Sequence, residues 1–399
     1  MIRITGFLHR KRFFDLIHRW MFNQMEPTDT DELLRLVHFN NVFVSRYLPL
    51  LSEGILGNLY HCAPYSRRVS TKGDLKDQIV KHLPYRNPRM DRLIADYQSD
   101  PGSYFRETPF QGTLYFCSKE SAKVYMGSSR IKRVRRLAEK SARRLVDWIY
   151  DEIQRRAHHN VAEPNMKPGW EIHDFAQAGH LTAAELRQAE VQFLQQIREN
   201  RPSYLPEDLT INDVAGIKII QETPEDGELQ GILQEQNCRL VEQERHTGDY
   251  QATNLIVDYQ PDKARILAQP LHSRIISVFN AHGIGGDEAN RLFREFVDTG
   301  EESVRVEIIV SNYLQMMESE IGRCMHEDRI IRQRRNQVYQ GQLGSNVEFL
   351  MEYLFLLPAV PDGRPESLPI RLWDRYLPDY FDEVKRTLFH LPSVELNEL

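Results

Sequence analysis

Three short segments place a polar side chain beside a β-rich run in the second half of the chain. They span residues 213–220, 248–257 and 304–310. Side chains alternate between the faces of a strand, so Arg305 and Glu307 share one face, opposite an apolar row. A carboxylate before one strand and another within a neighbouring strand can hold one or two magnesium ions. This pattern indicates phosphate chemistry, with Asp213 and Glu307 as the metal-binding acids.

Each candidate residue also has an ordinary structural explanation. Asp213 can be a turn acid, Glu307 a solvent-facing strand acid, and Tyr250 a strand aromatic that packs against a helix. A motif is a hypothesis until its structural context is known. The occurrence of all three segments in order favours the functional interpretation.

The three segments resemble the synthetase domain of the RelA/SpoT family, across residues 209–323. The family's patterns are Asp-x-x-Gly/Ala-x-Arg, Gly/Met-Tyr-Gln-Ser-x-His and Val-Glu-Ile-Gln-Ile-Arg-Thr, and Asp213, Tyr250 and Glu307 occupy their key positions. The resemblance implies a guanosine tetra- or pentaphosphate synthetase, which moves pyrophosphate from ATP to the 3′ hydroxyl of GTP or GDP. It also implies that Asp213 binds the catalytic Mg²⁺, that Glu307 helps to bind metal or activates the acceptor hydroxyl, and that Tyr250 stacks on guanine.

The chain departs from the family's patterns at several positions. Lys218 replaces the strand arginine and Asn254 replaces the histidine, while the third motif has Ile309 and Ser311 in place of glutamine and arginine. The normally lysine-rich segment before the second motif is acidic, at residues 240–247. Lys218, Asn254 and Arg305 remain candidates for substrate binding.

A basic amphipathic helix is predicted between residues 130 and 156, because its apolar positions share one helical face. By the resemblance, Lys140, Arg143 and Arg144 on this helix can supply the missing cations to the ATP phosphates. The same basic positions also suit a solvated face, a partner for acidic patches of the chain, or an RNA-binding surface along residues 130–144. The pattern leaves these alternatives open.

The element pattern predicts an α/β (α+β) fold, with a mixed-sheet nucleotidyltransferase-like domain and helical regions at both ends. The expected divisions are a helical N-terminal region at 1–110, a basic helical region at 111–204 that can open the catalytic domain, the nucleotidyltransferase domain at 205–340, and a helical C-terminal region at 341–399. Residues 63–111 are expected to be irregular apart from one helix near 90–97. A capping box predicts a helix that starts at Thr182, with Glu185 three residues on.

Three further motifs are weaker. His173-Asp174 is similar to the His-Asp pair of the hydrolase domain found in some family members, but it stands alone. His158, His159 and the histidines of 173–180 lack the paired spacing of a zinc site. Glycines 283–286 lack the Lys-Ser/Thr of a phosphate loop and predict a turn before a helix at 287–297.

Composition restricts the partners and the compartment. A net charge of −6 and a pI near 6.2 provide no global attraction for nucleic acid or anionic membranes. The longest apolar runs are about half of the roughly 20 residues that a membrane span needs. The four widely spaced cysteines suggest reduced thiols, and no secretory signal is evident, so we expect a soluble cytoplasmic protein. The sequence does not indicate an oligomeric state.

The leading hypothesis is a magnesium-dependent nucleotide pyrophosphokinase-like transferase that uses ATP and a guanine nucleotide or an RNA end. The second is a catalytically degenerate protein on the same fold, which binds a nucleotide or RNA and has a regulatory role. The third is an interaction protein whose helical half does the work and whose α/β part is a scaffold, because a fold does not imply a function.

Overall fold

The computed structural model describes residues 2–119, 122–162, 181–199, 209–222, 226–247, 251–322, 324–335, 341–360, 365 and 367–391. The strands are β1 (Ile2–Ile4), β2 (Tyr65–Thr71), β3 (Pro109–Lys119), β4 (Ala122–Ile131), β5 (Leu209–Ile211), β6 (Ala215–Ile220), β7 (Cys238–His246), β8 (Ala252–Tyr259) and β9 (Val304–Ser311). The helices are α1 (Arg10–Met21), α2 (Asp29–Tyr60), α3 (Lys72–Lys81), α4 (Pro88–Ser99), α5 (Val134–Ala162), α6 (Ala183–Arg198), α7 (Asp226–Glu235), α8 (Lys263–Leu267), α9 (Ser273–Ala281), α10 (Gly286–Asp298), α11 (Tyr313–Met317), α12 (Met325–Arg335), α13 (Gln342–Leu356) and α14 (Pro378–Leu388). Short 3₁₀ turns lie at Pro101–Tyr104 and Leu357–Ala359, and a π-helical turn at Glu318–Gly322.

Seven strands form one mixed sheet in the order β2-β3-β4-β6-β9-β8-β7. The β6–β9 pair is parallel, and the other neighbouring pairs are antiparallel. Strands β1 and β5 form a separate parallel pair. The predicted mixed α/β class, with helices and a mixed sheet, is confirmed, but β2, β3 and β4 of this sheet come from regions that were expected to be helical.

Alternation in the central strands decides which face of the sheet is covered. Every second residue of β9 from Val304 to Val310 is buried, and the residues between are partly exposed. The apolar row joins the inner side chains of β6 and β8 in a core that also contains buried positions of α2, such as Phe39 and Phe43. Burying one such phenylalanine contributes on the order of 2 kcal/mol. The long helix α2 therefore covers this face.

The opposite face of the sheet is covered at one end. A second core joins β2, β3 and β4 to α3, α4 and α11, with Leu114, Phe116 and Met316 among its members. Ile220, at the end of β6, belongs to this core. Closer to the start of β6, the same face carries polar side chains, and we call this part of the sheet the polar face: Arg130, Gly216, Lys218, Arg305, Glu307 and Asn254.

Several predicted elements are confirmed. The capping box at Thr182 forms, because its side chain accepts from the Glu185 amide at 3.3 Å while the Glu185 carboxylate accepts from the Thr182 amide at 2.6 Å. Gly283 adopts a left-handed φ of 78° in the turn before α10. The predicted strands correspond to β6, β8 and β9.

Other expectations were wrong. Residues 63–111 contain β2, α3 and the start of β3 as well as the expected helix. The predicted basic helix forms as α5, but it begins at Val134 rather than at residue 130, since residues up to Ile131 belong to β4. His158 and His159 lie in this helix.

The cysteines differ from the expectation of four reduced thiols. Cys62 and Cys117 form a disulfide, with Cα atoms 6.2 Å apart. Cys238 and Cys324 are free and buried. Across the described residues, no helix combines the length and the apolar character that a membrane crossing requires.

Candidate functional site

Gly216 and Glu307 face each other in the register of the parallel β6–β9 pair. Arg130 of β4 is the partner of Gly216 on the other side. A Cβ added at Gly216 would lie 3.6 Å from Glu307 Oε2 and 3.9 Å from Arg130 Cγ and Nε. The missing side chain thus leaves space into which a carboxylate and a guanidinium both reach.

Asp213 lies two residues before β6 and is held by cations from two other elements. Its Oδ2 pairs with Lys132, which follows β4, and with Lys140 of α5 at 2.7 Å. The Lys132 amide also donates to the Val214 carbonyl at 2.8 Å. Asp213 Oδ1 is buried and has no hydrogen-bond partner among the described residues. One oxygen is therefore neutralised, while the other remains a buried acceptor.

The charges of this cluster shift its pKa values in a consistent way. Burial raises the pKa of Asp213, but Lys132 and Lys140 outweigh it and hold that pKa well below its usual range. Burial lowers the pKa of Lys132 to about 8, although Asp213 opposes the shift. Asp213 is thus ionised at neutral pH, and Lys132 is still mostly protonated there but loses its proton at a lower pH than an exposed lysine.

The loop that carries Asp213 is fastened by the N-terminal segment and by β9. The Asn212 side-chain oxygen accepts from Thr5 Oγ1 at 2.7 Å and from Arg305 Nη1 at 3.3 Å. Arg305 Nε also lies 3.5 Å from an Asp258 carboxylate oxygen. Arg305 therefore supports the Asp213 loop. The sequence predicted Arg305 as a substrate-binding residue and did not predict this contact.

Lys218 belongs to a buried group of alternating charges. It pairs with Glu320 at 3.3 Å, Glu320 pairs with Lys72 at 2.8 Å, and Lys72 pairs with Glu327 at 3.1 Å. Burial lowers the pKa of Lys218. Burial also acts to lower the pKa of Lys72, but Glu320 and Glu327 outweigh it and raise that pKa. A phosphate at Lys218 would compete with Glu320.

The remaining predicted residues occupy separate positions. Arg144 donates to the Thr210 carbonyl at 2.5 Å, so it holds β5 rather than facing Asp213. Arg143 lies on α5, where it acts electrostatically on Asp147. Asn254 has its amide nitrogen 3.0 Å from His246 Nε2, and its Oδ1 is buried without a partner among the described residues. Tyr250 and the His173-Asp174 pair lie outside the described residues.

The two candidate acids are staggered along the sheet. Asp213 precedes Gly216, the partner of Glu307, by three residues, which corresponds to about 10 Å at roughly 3.3 Å per residue. Paired metal ions in phosphoryl-transfer sites sit about 4 Å apart. Within the described residues, no group of three or more His, Cys, Asp or Glu side chains is arranged to hold a metal ion.

A single Mg²⁺ nevertheless fits the chemistry at Asp213. Magnesium commonly keeps several waters and takes one or two carboxylates together with substrate phosphates. The unpartnered Oδ1 of Asp213 is a candidate ligand of this kind, while Lys132 and Lys140 bring positive charge to its other oxygen. Asp213 is thus the residue that would hold the ion.

The sequence motifs did not assign Arg130, Lys132 or Glu320 to the surroundings of Asp213, Gly216 and Lys218. Lys132 lies eight residues before Lys140 in the basic segment, so the signal was present as charge, but its contact with Asp213 depends on the β4–β6 pairing. Glu320 gave no signal, because its turn is joined to Lys218 only through the tertiary fold.

The fold and the site define a mixed α/β protein whose sheet carries a charged polar face. No family model matches the chain. No curated protein matches it. A search of solved structures finds the small alarmone synthetase 1 from Bacillus subtilis, with 13% identity over 55% of this chain and 93% of that chain, at a TM-score of 0.18. At this TM-score the likeness carries no argument about function.

Proposed function

We propose that this protein is a magnesium-dependent nucleotide pyrophosphokinase-like transferase, which moves pyrophosphate from ATP to the 3′ hydroxyl of a guanine nucleotide or of an RNA end. The observation that carries the proposal is the Asp213 cluster. It combines a buried ionised carboxylate with one unpartnered oxygen and two lysines from different elements. Phosphoryl transfer depends mostly on positioning and on neutralising phosphate charge, and this cluster provides groups for both.

The reaction needs one bond to form and one to break. The acceptor 3′ oxygen attacks the β-phosphorus of ATP, the bond between the α,β-bridging oxygen and that phosphorus breaks, and AMP leaves. Lys132 and Lys140 would bind the donor phosphates, and Asp213 would hold Mg²⁺, which neutralises phosphate charge when bound. Glu307, beside the space over Gly216, would accept the proton of the attacking hydroxyl.

Transfer can be tested directly with the full chain. The protein would be incubated with Mg²⁺, ATP labelled in its terminal phosphate, and GTP, GDP or an RNA with a free 3′ hydroxyl, and the labelled products separated. We expect a labelled acceptor and AMP in equal amounts, and at least a hundredfold loss in Asp213→Asn or Glu307→Gln, in line with removal of a transition-state contact. Glu318→Gln changes a partly exposed acid outside the Asp213 cluster and serves as the matched control. Failure with every acceptor would remove the proposal.

A second candidate function is nucleotide or RNA binding without turnover. The observation in its favour is that Lys218 is already paired with Glu320, while Glu242 and Glu244 of β7 expose negative charge beside β8. Calorimetric titration with ATP and Mg²⁺ separates the candidates. Binding that is weakened by Lys140→Ala, without any labelled product, would favour the degenerate protein.

A further inference from the structure

Lys76 of α3 is an entirely buried lysine with unusual partners. Its side chain is 0% exposed, and its Nζ donates to the Tyr104 carbonyl at 2.7 Å and to Cys324 Sγ at 3.1 Å. No carboxylate of the described residues forms an ion pair with it. An ammonium group has three donors; two are used here, one of them on sulfur, which is a weak acceptor, and the Tyr104 ring centroid lies 5.9 Å from the nitrogen. The pair places two nucleophilic atoms in direct contact.

Cys324 lies where small solutes can reach it. It lines a cavity of about 540 Å³ between the end of α4, the Pro101–Tyr104 turn and the start of α12, together with Asp96, Ser103 and Asp328. The residue itself is 5% exposed and has a left-handed φ of 44°. Non-glycine residues adopt this conformation at an energetic cost. The cavity gives an oxidant a route to a sulfur that is otherwise enclosed.

We propose that Cys324 and Lys76 form a covalent sulfur–nitrogen bond when the protein reacts with a hydroperoxide. The sulfur attacks the terminal peroxide oxygen, the O–O bond breaks, and a sulfenic acid forms while water or an alcohol leaves. Lys76, after loss of one proton to water, attacks this sulfur, the S–O bond breaks, and a second water leaves. The sulfur is oxidised by two electrons and the peroxide is reduced by two. Sulfenic acids condense with nitrogen in this way, and thiols reverse the product.

The neighbouring charges decide the conditions for this reaction. Burial raises the pKa of the Cys324 thiol, Lys76 opposes that rise, and Glu327 and Glu320 reinforce it. The reactive thiolate is therefore scarce at neutral pH and becomes more abundant in mildly alkaline solution. Tyr104 also faces the sulfur, and Asp96, Asp100 and Asp328 line the cavity to which the sulfur is exposed.

The chain contains a matched control in Cys238. This second free cysteine is also buried, with 4% exposure, and its sulfur has a contact with the Gln236 carbonyl at 3.7 Å. Burial raises the pKa of its thiol to about 12. Among the described residues no lysine lies against Cys238, so it cannot form the same link.

The link would join α3 to the segment that carries Glu320, which pairs with Lys72 on α3 and with Lys218 on the polar face. It would also remove one buried positive charge. These consequences do not depend on the proposed transfer reaction, so peroxide chemistry and transfer can fail separately.

Peptide mapping tests the proposal. The full chain, at low concentration and mildly alkaline pH, would be treated with hydrogen peroxide, alkylated and digested with trypsin. We expect loss of cleavage after Lys76 and a new species that joins residues 73–81 to residues 324–329, lighter than the two free peptides by two hydrogen atoms. Dithiothreitol should separate them again.

The variants make the outcome decisive. Cys324→Ser and Lys76→Arg should each abolish the linked peptide, and Cys238→Ser should leave it unchanged. The wild-type map stands by itself if either variant fails to fold. Normal cleavage after Lys76, with Cys324 found only as thiol, sulfinic or sulfonic acid, would overturn the proposal.

Discussion

Glu307 and Gly216 are register partners on adjacent parallel strands, and the Glu307 carboxylate reaches within 3.6 Å of the position that a Gly216 Cβ would take. This distance is an ordinary van der Waals contact, so the space tolerates a methyl group but not a longer side chain. Arg130 approaches the same space from β4. The glycine therefore leaves open the space that the acid and the guanidinium both approach.

Substitution of Gly216 tests this relationship. We expect Gly216→Ala to keep nucleotide binding, and Gly216→Leu to displace Glu307 and Arg130 and to weaken binding at least tenfold. Titration with ATP and Mg²⁺ measures the effect, and circular dichroism verifies the fold of both variants. Equal binding by the leucine variant would show that the space is not part of the site.

The titration of Lys132 gives a pH dependence with a definite sign. The pKa of Lys132 in the folded protein is about 8, below the ordinary lysine value of 10.5. Between these values the unfolded chain holds more protons, so the contribution of Lys132 to stability rises with pH. The rise amounts to about 3 kcal/mol, at roughly 1.4 kcal/mol per pKa unit. The free energy of unfolding, measured with urea from neutral to alkaline pH in the wild type and in Lys132→Met, should isolate this contribution. The same dependence on pH in both proteins would disprove it.

Removal of Glu320 should destabilise the protein more than removal of a nearby surface acid. Glu320→Gln leaves Lys218 without its carboxylate partner in a buried setting, which costs about 3 kcal/mol. Glu318→Gln breaks an exposed pair with Arg89 and should cost less than about 1 kcal/mol. Denaturant unfolding of both variants gives the comparison. Similar losses would mean that the buried pair is solvated.

The close contact of Gly6 with the Asp213 loop predicts that a side chain at position 6 will disturb this loop. A Cβ at Gly6 would lie 2.9 Å from Val214 Cβ, so Gly6→Ala must shift the N-terminal segment or the loop. We expect about 1–3 kcal/mol of destabilisation, as for other overpacked sites, and weaker nucleotide binding. Gly231→Ala, in α7 with nothing within 4 Å of its Cβ, is the control and should be neutral or stabilising. A neutral Gly6→Ala would disconnect this segment from the site.

The strands that sequence periodicity predicted are those in which the pattern of apolar residues matches the pattern of buried residues. In β9, buried valine and isoleucine alternate with the partly exposed Arg305, Glu307 and Ile309, and in α6 the Thr182 cap marks the helix start. Strand β2 has an exposed pattern with Val69 as its buried residue, so its membership of the sheet depends on pairing with β3. That pairing is a tertiary event that local pattern does not encode.

The candidate site was predictable only in part for the same reason. The positions of Asp213 and Glu307 relative to their strands followed from alternation and spacing. The cations around Asp213 arrive from the end of β4 and from α5, and the partner of Lys218 comes from a turn after β9. Arg144, chosen for its charge, supports β5 instead. Charge in a sequence identifies candidates, but strand register selects the ones that meet.

The pairing of β1 with β5 bears on the order in which the chain can fold during its synthesis. Thr5 donates to the Ile211 carbonyl across 206 residues. At about 5–20 residues per second, the ribosome needs roughly 10 to 40 seconds between these two points. Strand β1 therefore stays unpaired while α1 and α2, which have large apolar faces, leave the ribosome. Thr5 is hydrogen-bonded to Asn212 in the loop that carries Asp213. This loop can therefore reach its final structure only after β5 has been synthesised.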